Sequence, residues 1–382
     1  MTDPHYNINY ALTCCEAAVL SCEAGADGMY VLQLERTVLF PGGGGQKADE
    51  GWLNGVPCRA GEQEGRTVHL CSRPFAPGEQ VSVALDTETR LRRSRSHTAE
   101  HIVTGLAHRN FGCVNVGFHM DEALVTFDLS RELTAEQVEF LEREANRTVL
   151  ENRPVRAFFP TEEELSALPY RSKGELSGPV RLVEIEGCDF CACCAPHVQR
   201  TGEIGRILLT GAVRHRGGMR LTMLTGMDAY EETARRFKNM DALSALFSVP
   251  PEDVTAAAEK VLAKVEALEK ALAAEKAAGL LRLAESAAPT DGALCFFPGE
   301  TDGDSLRALV NECMDRCRVC AAFAGQDGAL RYVIGSRQVD LRAAAKEINA
   351  AIGGRGGGSS TMIQGSCTAP QDTIEAYFRK EF

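Results

Sequence analysis

The sequence predicts an α+β protein built from several domains. The chain has 382 residues, of which 44% are apolar, so it can bury a core and divide into two or three domains. Short alternating runs such as residues 29–34 and 81–85, separated by glycine-rich turns, predict a small β-barrel over residues 1–88. Helical and strand patterns then mix over residues 89–248, which predicts an α+β domain.

Three elements are predicted inside this second domain. Residues 96–108 have the pattern of a helix, and a second helix is expected to begin after Thr134. Residues 123–129 alternate as a strand does. The apolar positions that support the second helix follow the helical period: Val138, Leu141 and Ala145.

Two further segments complete the predicted architecture. Pro250 and Pro251 mark a boundary, after which apolar residues recur at alternating spacings of three and four. This spacing predicts a helix over 252–285, within a coiled-coil linker over 249–286 that forms either a helical arm or a dimer seam. Packing of the helix against its own chain is the alternative. Strand and helix patterns return over residues 287–382 and predict a C-terminal α/β domain.

Charge and targeting signals limit the functional classes. The formal net charge is −12, which argues against general nucleic-acid binding, so any RNA must dock on local basic patches. The N-terminus lacks the pattern of a secretion signal, and about 18 apolar residues never run together, so we expect a soluble cytoplasmic protein without a membrane segment. Two basic runs could be RNA patches or solvated surface charge: Arg90, Arg92, Arg93 and Arg95, and Arg214, Arg216 and Arg220.

The cysteine and histidine pattern predicts a metal site. His97 and His101 lie four residues apart on a predicted helix, so they project from one face and can share a metal ion. Residues 188–197 offer several thiols and one imidazole. Because the chain has no export signal, we expect most of its 15 cysteines to be reduced thiols. We predict a tetrahedral zinc site with four ligands: His97, His101, Cys193 and His197.

Other uses of the same thiols stay open. Cys188, Cys191 and Cys194 are close enough in sequence to replace Cys193 as the thiolate ligand. The spacing of Cys188 and Cys191 also fits a redox pair.

A glycine run upstream is a third candidate for the site. Residues 42–45 are four consecutive glycines, which would let backbone amides approach a ligand closely, and Gln46 can both donate and accept hydrogen bonds. A flexible hairpin is the alternative. The run fits neither a Walker phosphate loop nor a dinucleotide fingerprint, so nucleotide binding is not predicted.

The motifs and their order along the chain resemble the editing domain of alanyl-tRNA synthetase and its free-standing relatives, the alanyl-tRNA editing proteins. The resemblance lies in a Phe-Pro with Gly-Gly-Gly-Gln46, then His97-x-x-x-His101, then Cys193-x-x-x-His197 followed by residues 201–205. Residues 353–365 resemble the DHHA-type tail domain of the long form, so the resemblance spans nearly the whole chain. The family's usual glycines between the cysteine and the histidine are replaced here by Cys-Ala-Pro.

The resemblance implies a zinc-dependent hydrolase that deacylates tRNA(Ala) mischarged with serine or glycine. By the same match, Thr37 would recognise the serine hydroxyl. Gln46, with the amides of the glycine run and in particular Gly44 and Gly45, would orient the ester or the attacking water.

The resemblance also implies how the RNA is held. The tail domain would grip the tRNA elbow, with Arg355, Gly356 and Gly357 as candidate contacts, and we add Arg92 and Arg93 from the first basic run. A homodimer could form through the 252–285 helix and the C-terminal domain.

Three alternative functions remain. The pattern His97-x-x-Glu100-His101 is also that of inverted zinc proteases, with Glu100 as general base. A non-catalytic tRNA-binding paralogue with a structural zinc would share every motif. The spacing of Cys313, Cys317 and Cys320 matches an iron–sulfur loop, but it also places the three thiols on one face of a helix.

Overall fold

A computed structural model describes residues 2–7, 12–121, 124–172 and 178–382. The chain divides into two compact units, Met1–Ala242 and Leu243–Phe382, and each is described by itself. The finer division into four domains stays a prediction.

The first unit opens with a closed six-stranded barrel, as predicted. Its strands are β2 (Cys14–Ala24), β3 (Tyr30–Leu34), β5 (Glu50–Leu53), β6 (Val56–Gln63), β7 (Arg66–Cys71) and β8 (Gln80–Leu85). They close in the order β2-β3-β7-β6-β5-β8, with antiparallel neighbours. Alternate residues such as Leu32, Leu34, Val81 and Val83 are fully buried inside it, which is why the strands read as alternating in the sequence. Two short strands, β1 (Asp3–Pro4) and β4 (Arg36–Thr37), pair in parallel beside the barrel.

A long helix, α1 (Thr87–Phe111), follows the barrel directly. The Asp86 side chain caps its first turn by accepting from the Thr89 amide, and Gly112 ends it with a left-handed φ of 63°. The helix begins at Thr87, not at Ser96 as predicted, so the whole first basic run belongs to it. The middle of the helix is buried on most sides, so its sequence lacks the single apolar stripe by which a surface helix is recognised.

Two antiparallel sheets and two further helices follow α1 in the first unit. The sheet strands are β9 (Asn115–Met120), β10 (Val125–Leu129), β14 (Ile207–His215) and β15 (Gly218–Thr225) in one sheet, and β11 (Val155–Phe158), β12 (Leu182–Ile185) and β13 (Asp189–Ala192) in the other. The helices are α2 (Ala135–Leu150) and α3 (Glu162–Ala167). Thr134 and Gln137 form a capping box at the start of α2, which confirms the helix expected there. Strand β10 begins at Val125, and the first residue of the predicted strand lies outside the described residues.

Two helices connect to the C-terminal region: α4 (Gly226–Phe247) and α5 (Val254–Ser286). Helix α5 is continuous over 33 residues, close to the predicted 252–285. Its last turns pack on the core of the second unit through Leu280, Leu283 and Ala284, while residues such as Leu268 and Leu272 are exposed. The alternative, that the helix packs against its own chain, is therefore correct for its C-terminal turns.

The second unit is a five-stranded sheet with helices on both faces. Its elements are β16 (Ala293–Phe296), α6 (Gly303–Cys313), β17 (Val319–Gln326), β18 (Ala329–Gly335), α7 (Leu341–Ile352), β19 (Gly354–Gly358), β20 (Met362–Cys367) and α8 (Gln371–Glu381). The strand order is β16-β17-β18-β20-β19, so β16 and β19 are the edges. Strand β17 is buried on both faces, against α6 and α5 on one and α7 and α8 on the other, which explains its unbroken apolar sequence.

The cysteines of this second unit belong to its core. Cys313, Cys317 and Cys320 pack among apolar side chains and are not among the groups of potential metal ligands found in the described part of the chain. The iron–sulfur alternative therefore has no structural support. Among the described residues, no helix has both the length and the apolar character needed to cross a membrane.

Candidate metal centre

Four side chains from two distant segments converge in the first unit. His97 and His101 lie one turn apart on α1, and Cys193 and His197 follow the end of β13. One ligand atom from each lies within 4.8 Å of the others. Cys193 Sγ is 3.6 Å from His97 Nε2 and 3.3 Å from His197 Nε2. A tetrahedron with zinc bond lengths of about 2.0–2.3 Å has edges of about 3.3–3.7 Å, so the donor set fits zinc.

Each of the three imidazoles is held by its other nitrogen. His97 Nδ1 lies 3.0 Å from Gln46 Oε1, His101 Nδ1 lies 2.9 Å from Asp189 Oδ2, and His197 Nδ1 lies 3.0 Å from Thr98 Oγ1. Thr98 donates its own hydroxyl hydrogen to the Ser94 carbonyl, so it accepts from His197. These acceptors fix the protonated nitrogen as Nδ1 in each ring and leave the unprotonated Nε2 facing the common centre, where it can bind a metal ion.

The electrostatics favour the ligand forms of Cys193 and His197, whereas without a cation they favour the protonated form of His101. Burial alone would raise the pKa of Cys193, but the neighbouring His97 and His197 rings lower that pKa well below its usual value, which favours the thiolate. Burial lowers the pKa of His197 to about 3, so its ring is neutral at physiological pH. Burial opposes the charged form of His101, yet the hydrogen bond to Asp189 raises its pKa well above the ordinary value.

The three neighbouring cysteines are placed differently. Burial raises the pKa of the Cys188 thiol to about 11, and it also raises the pKa values of Cys191 and Cys194. Cys188 donates towards the Ile102 carbonyl at 3.6 Å, and Cys191 towards the Ala192 carbonyl at 3.5 Å. Cys191 forms a second group of potential ligands with His101 and Asp189, but that carboxylate is already bound to the ring. Cys193 is thus the thiol that the fold brings to all three imidazoles, and all 15 cysteines are free.

The glycine run forms a tight turn over this centre. Gly43 and Gln46 exchange two backbone hydrogen bonds of 3.0 Å, and the central residues Gly44 and Gly45 have φ values of 59° and 86°. Hairpin turns of the primed types need positive φ at such positions, which only glycine adopts without strain. The Gly43 amide is therefore occupied inside the turn, contrary to the expectation that it points at a ligand.

Close packing holds the turn against the ligands. A Cβ atom on Gly44 would lie 3.6 Å from Cys194 Sγ and 3.9 Å from His97 Cε1. A Cβ atom on Gly45 would overlap the Phe118 ring, which itself lies 4.9 Å from the His97 ring centroid. The glycines therefore serve close approach as well as turn geometry.

Thr37 lies inside the barrel, not on an open surface. Its side chain is fully buried, and its hydroxyl lies 2.8 Å from His69 Nε2 and accepts from the Leu39 amide at 3.1 Å. Burial lowers the pKa of His69 to about 4, so this partner is neutral. Recognition of a substrate hydroxyl by Thr37 stays a prediction, and it requires the side chain to exchange an internal partner.

The arginine side chains of the first basic run, on α1, bind other groups of the protein. Arg90 pairs with the buried Asp49, Arg93 donates to the Ala48 carbonyl at 2.8 Å, and Arg95 donates to the Glu203 carbonyl at 2.6 Å. Arg92 donates from Nε to Asp228 Oδ2 at 2.6 Å. The RNA-binding role of Arg92 and Arg93 stays a prediction, and their observed contacts are those of residues that fix α1 in place.

The candidate RNA contacts of the second unit lie on the edge strand β19. Arg355 and Gly357 are exposed there. Gly356 has a packing role as well, because a Cβ atom would collide with the Tyr332 hydroxyl, which donates to Asn349 Oδ1 at 2.7 Å.

Asp189, Thr98 and Arg171 are site residues that could not be singled out from the sequence. Arg171 Nε donates to Asp189 Oδ1 at 2.7 Å, so the carboxylate that holds His101 is itself held. Thr98 directly follows His97, and Asp189 lies within the cysteine-rich segment, but neither position by itself marks a residue that holds a histidine ring. Arg171 gave no signal, because its contact depends on the fold.

Comparison with known proteins gives the class of the site first. Residues 180–222 match the family described as Threonyl and Alanyl tRNA synthetase second additional domain, a range that contains Cys193 and His197. This tRNA-synthetase-associated class is therefore matched over the segment that supplies two of the four candidate ligands.

Relatives matched over longer ranges then give the particular family. The alanyl-tRNA editing protein Aarsd1-B of Xenopus laevis is 32% identical over 267 residues, which are 67% of this chain and 65% of that relative. The Aarsd1 editing protein of Mus musculus is 25% identical over 377 residues, 95% of this chain and 92% of the relative. The alanine–tRNA ligase of Thermofilum pendens is 34% identical over 69% of this chain and 30% of the ligase. The chain is a relative of the alanyl-tRNA editing proteins, as its motifs predicted.

We expect metal binding to depend on Cys193 and not on Cys194. The variant Cys193→Ser should lose most of the bound zinc, because the hydroxyl is a much poorer ligand than the thiolate. The adjacent variant Cys194→Ser should keep about one zinc per chain, as a matched control. Elemental analysis after gel filtration measures both. Equal retention of zinc in the two variants would contradict the ligand set.

We expect Asp189→Asn to weaken zinc binding by about 10- to 100-fold, because the carboxylate orients His101 and increases its basicity. Competition with a chelator of known affinity measures the effect. Asp315→Asn is the control, since Asp315 is exposed and pairs with Arg337 in the second unit. An affinity equal to that of the control would show that Asp189 does not support the ligand.

Proposed function

We propose that this chain is a zinc-dependent hydrolase that removes serine from mischarged tRNA(Ala). The observation that carries the proposal is the convergence of three imidazole Nε2 atoms and one thiolate under a turn of four glycines. The similarity to alanyl-tRNA editing proteins supports the class of substrate. Since the ester to be cleaved is small and sits at the end of a flexible RNA strand, a compact centre beside a close-packed turn suits it.

The proposed chemistry places each side chain in a role. A bound zinc ion would polarise the ester carbonyl, lower the pKa of a bound water, or mainly hold the substrate end in place. With four protein ligands, its open position would have to be made by ligand exchange. His97, His101, Cys193 and His197 would hold it. Gln46 holds the His97 ring with Oε1, and its buried Nε2 has no hydrogen-bond partner among the described residues.

That unused Gln46 donor supports a role in orienting the ester. A buried amide hydrogen without a partner is costly, and a ligand carbonyl would satisfy it. We propose that Gln46, together with the Gly44 and Gly45 amides, donates to the oxygen on which negative charge develops during hydrolysis. This preorganised set would cost no rearrangement when the reaction occurs.

Serine recognition is proposed separately from hydrolysis. An activation site cannot firmly reject a near-isostere of alanine, so a second site that binds the hydroxyl supplies the missing discrimination. Thr37 is the candidate, on the condition that its hydroxyl leaves His69. Glycine, which lacks the hydroxyl, would be removed only through the shared ester contacts.

The second unit offers a surface for gripping the tRNA. On one face of its sheet Arg331, Ser366 and Arg355 are in register across β18, β20 and β19, and all three are exposed. Glycines along β19 leave this edge without bulky side chains, so a phosphate backbone could approach the strand closely. We propose that this basic row and its neighbouring glycines Gly356 and Gly357 contact the tRNA elbow.

A homodimer is proposed through α5. The predicted seam residues Val261, Val265, Leu268 and Leu272 are exposed along the helix, at spacings of four, three and four. Such a row is too apolar for a solvated helix face and fits a second copy of the same helix.

Two alternatives, an inverted zinc protease and a non-catalytic tRNA-binding paralogue, can be distinguished from this proposal. Glu100, the general base of the protease alternative, is fully buried and accepts from Asn115 Nδ2, and Cys193 with His197 occupies the place of the further glutamate ligand of such proteases. A tRNA-binding paralogue would bind tRNA(Ala) tightly without turnover.

We expect purified protein to release serine from Ser-tRNA(Ala) faster than alanine from Ala-tRNA(Ala), because only serine gains the hydroxyl contact. Thr37→Val should bring the two rates closer together by slowing serine release. Release of labelled amino acid measures both substrates in parallel. Equal rates with the wild-type protein would reject the recognition role of Thr37, and binding without any release would favour the paralogue.

We expect the double variant Arg331→Gln, Arg355→Gln to weaken tRNA binding about tenfold or more at low salt while turnover at saturation stays within about twofold. The slope of log affinity against log salt should become shallower by about one for each phosphate that the variant no longer neutralises. Filter binding over a salt series, with Arg337→Gln on the same unit as control, measures this. An unchanged affinity would contradict the assigned surface.

A further inference from the structure

Helix α1 carries a second buried charge group besides its metal ligands. Arg90 and Asp49 are 2% and 1% exposed, respectively. Arg90 Nε donates to Asp49 Oδ2 at 2.8 Å, and Arg90 Nη2 makes a further contact with the same oxygen. Arg90 Nη2 also donates to the Val38 carbonyl at 2.8 Å. An arginine of the helix is thus bound to the chain on both sides of the glycine run.

Asp49 closes the loop that contains the glycine turn. Its Oδ2 accepts from the Phe40 amide at 2.8 Å, and its own amide donates to the Phe40 carbonyl at 2.9 Å. Phe40 and Asp49 therefore form the base of the loop, and Gln46 lies near its tip. Arg93 adds a contact to the same base by donating to the Ala48 carbonyl at 2.8 Å.

The loop contacts α1 both at its base and at its tip. Arg90, Arg93 and His97 are spaced by three and four residues, so they lie along one face of the helix. Two turns separate Arg90 from His97, a rise of about 10.5 Å. The base of the loop is bound at Arg90, and the tip is bound where Gln46 meets His97. Helix α1 therefore sets the distance between the loop base and the metal ligand.

Stability alone gives a weak reason for such a pair. Removing two charges from water costs as much as their attraction returns, and a well-packed apolar pair of similar volume is often neutral or better. Arg90 Nη1 has no hydrogen-bond partner among the described residues, which adds to the cost, and Asp49 Oδ1 has only the Arg93 guanidinium, 3.8 Å away. The pair does provide directional bonds to Phe40 and Val38, which an apolar pair could not make.

We propose that Asp49 and Arg90 are positioning residues that hold the glycine turn, and with it Gln46, in register with the metal ligand His97. They touch neither the ligand atoms nor the substrate, and act through the loop base. The kinetic part of this proposal rests on the proposed hydrolytic function, whereas the structural part does not. Displacing a catalytic group by about 1 Å can slow a reaction by about 100-fold, so the effect should be measurable.

The test uses the full-length double variant Asp49→Asn, Arg90→Met. Either single substitution would leave a buried charge without its partner and could prevent folding, whereas the double variant removes both charges. The matched control is Asp128→Asn, Arg220→Met, because Arg220 binds Asp128 in the sheet with bonds of 2.7 and 2.8 Å, away from the loop. Both double variants make the same chemical change.

Three measurements are compared between the two double variants. Zinc affinity by chelator competition should stay within about twofold of wild type in the control and fall by up to about tenfold in the Asp49 and Arg90 variant, because a displaced Gln46 holds the His97 ring less well. Amide hydrogen exchange over residues 42–47 should become about tenfold faster only in the Asp49 and Arg90 variant. Serine release should show a kcat that is about 10- to 100-fold lower with KM within about twofold, again only in that variant.

The outcomes separate the two proposals. Wild-type exchange over residues 42–47 with an unchanged kcat would overturn the positioning role. If the wild-type protein releases no serine, the proposed function fails, and the exchange measurement still decides whether the pair holds the loop. Should the double variant not fold, Arg93→Met removes one contact to the loop base at a side chain that is 12% exposed, and the role requires faster exchange over the same residues there as well.

Discussion

Three buried imidazoles can serve one cation only if each ring presents an unprotonated nitrogen to it. In this protein that condition is met by three different acceptors: an amide on the glycine turn, a hydroxyl on α1 and a carboxylate on β13. Because each acceptor holds Nδ1, each Nε2 is directed inward. The barrel, the helix and the small sheet must therefore all be in place before the centre exists. The rest of the first unit can be understood as the means of keeping these three elements in register.

Helix α1 is the element on which this register depends. It carries two of the four candidate ligands, and its arginines reach the barrel loop through Asp49 and Ala48, and α4 through Asp228. The helix also begins directly after the last barrel strand, so the barrel and the ligand pair share one continuous backbone. Buried arginines on a helix beside a metal centre would be costly if they served charge alone. As donors to carbonyl and carboxylate groups, these arginines fix the orientation of α1 relative to its neighbours, because hydrogen bonds are directional and apolar contacts are not.

The glycine turn and the thiolate show two kinds of specificity. The turn is a local property, since four glycines permit positive φ whatever lies around them. The choice of Cys193 among four nearby cysteines is a property of the fold. Strand β13 buries Asp189 and Cys191 by its alternation, and the chain turns towards the imidazoles only after the strand has ended. The departure from the family's glycines at residues 194–196 therefore still leaves Cys193 as the thiol that meets the three imidazoles.

Local features could be predicted from the order of the residues: the histidine pair at helical spacing, the downstream cysteine and histidine, the glycine run, the barrel strands and the long helix α5. Each follows from a period or a conformational preference within a few residues. The folded chain was needed to see that the arginines of α1 point at protein groups, that the Thr37 hydroxyl binds His69, and that Asp189 and Arg171 support His101. These interactions join residues 18 to 136 positions apart. A charged or polar side chain carries no local mark of whether its partner will be water or a distant part of the chain.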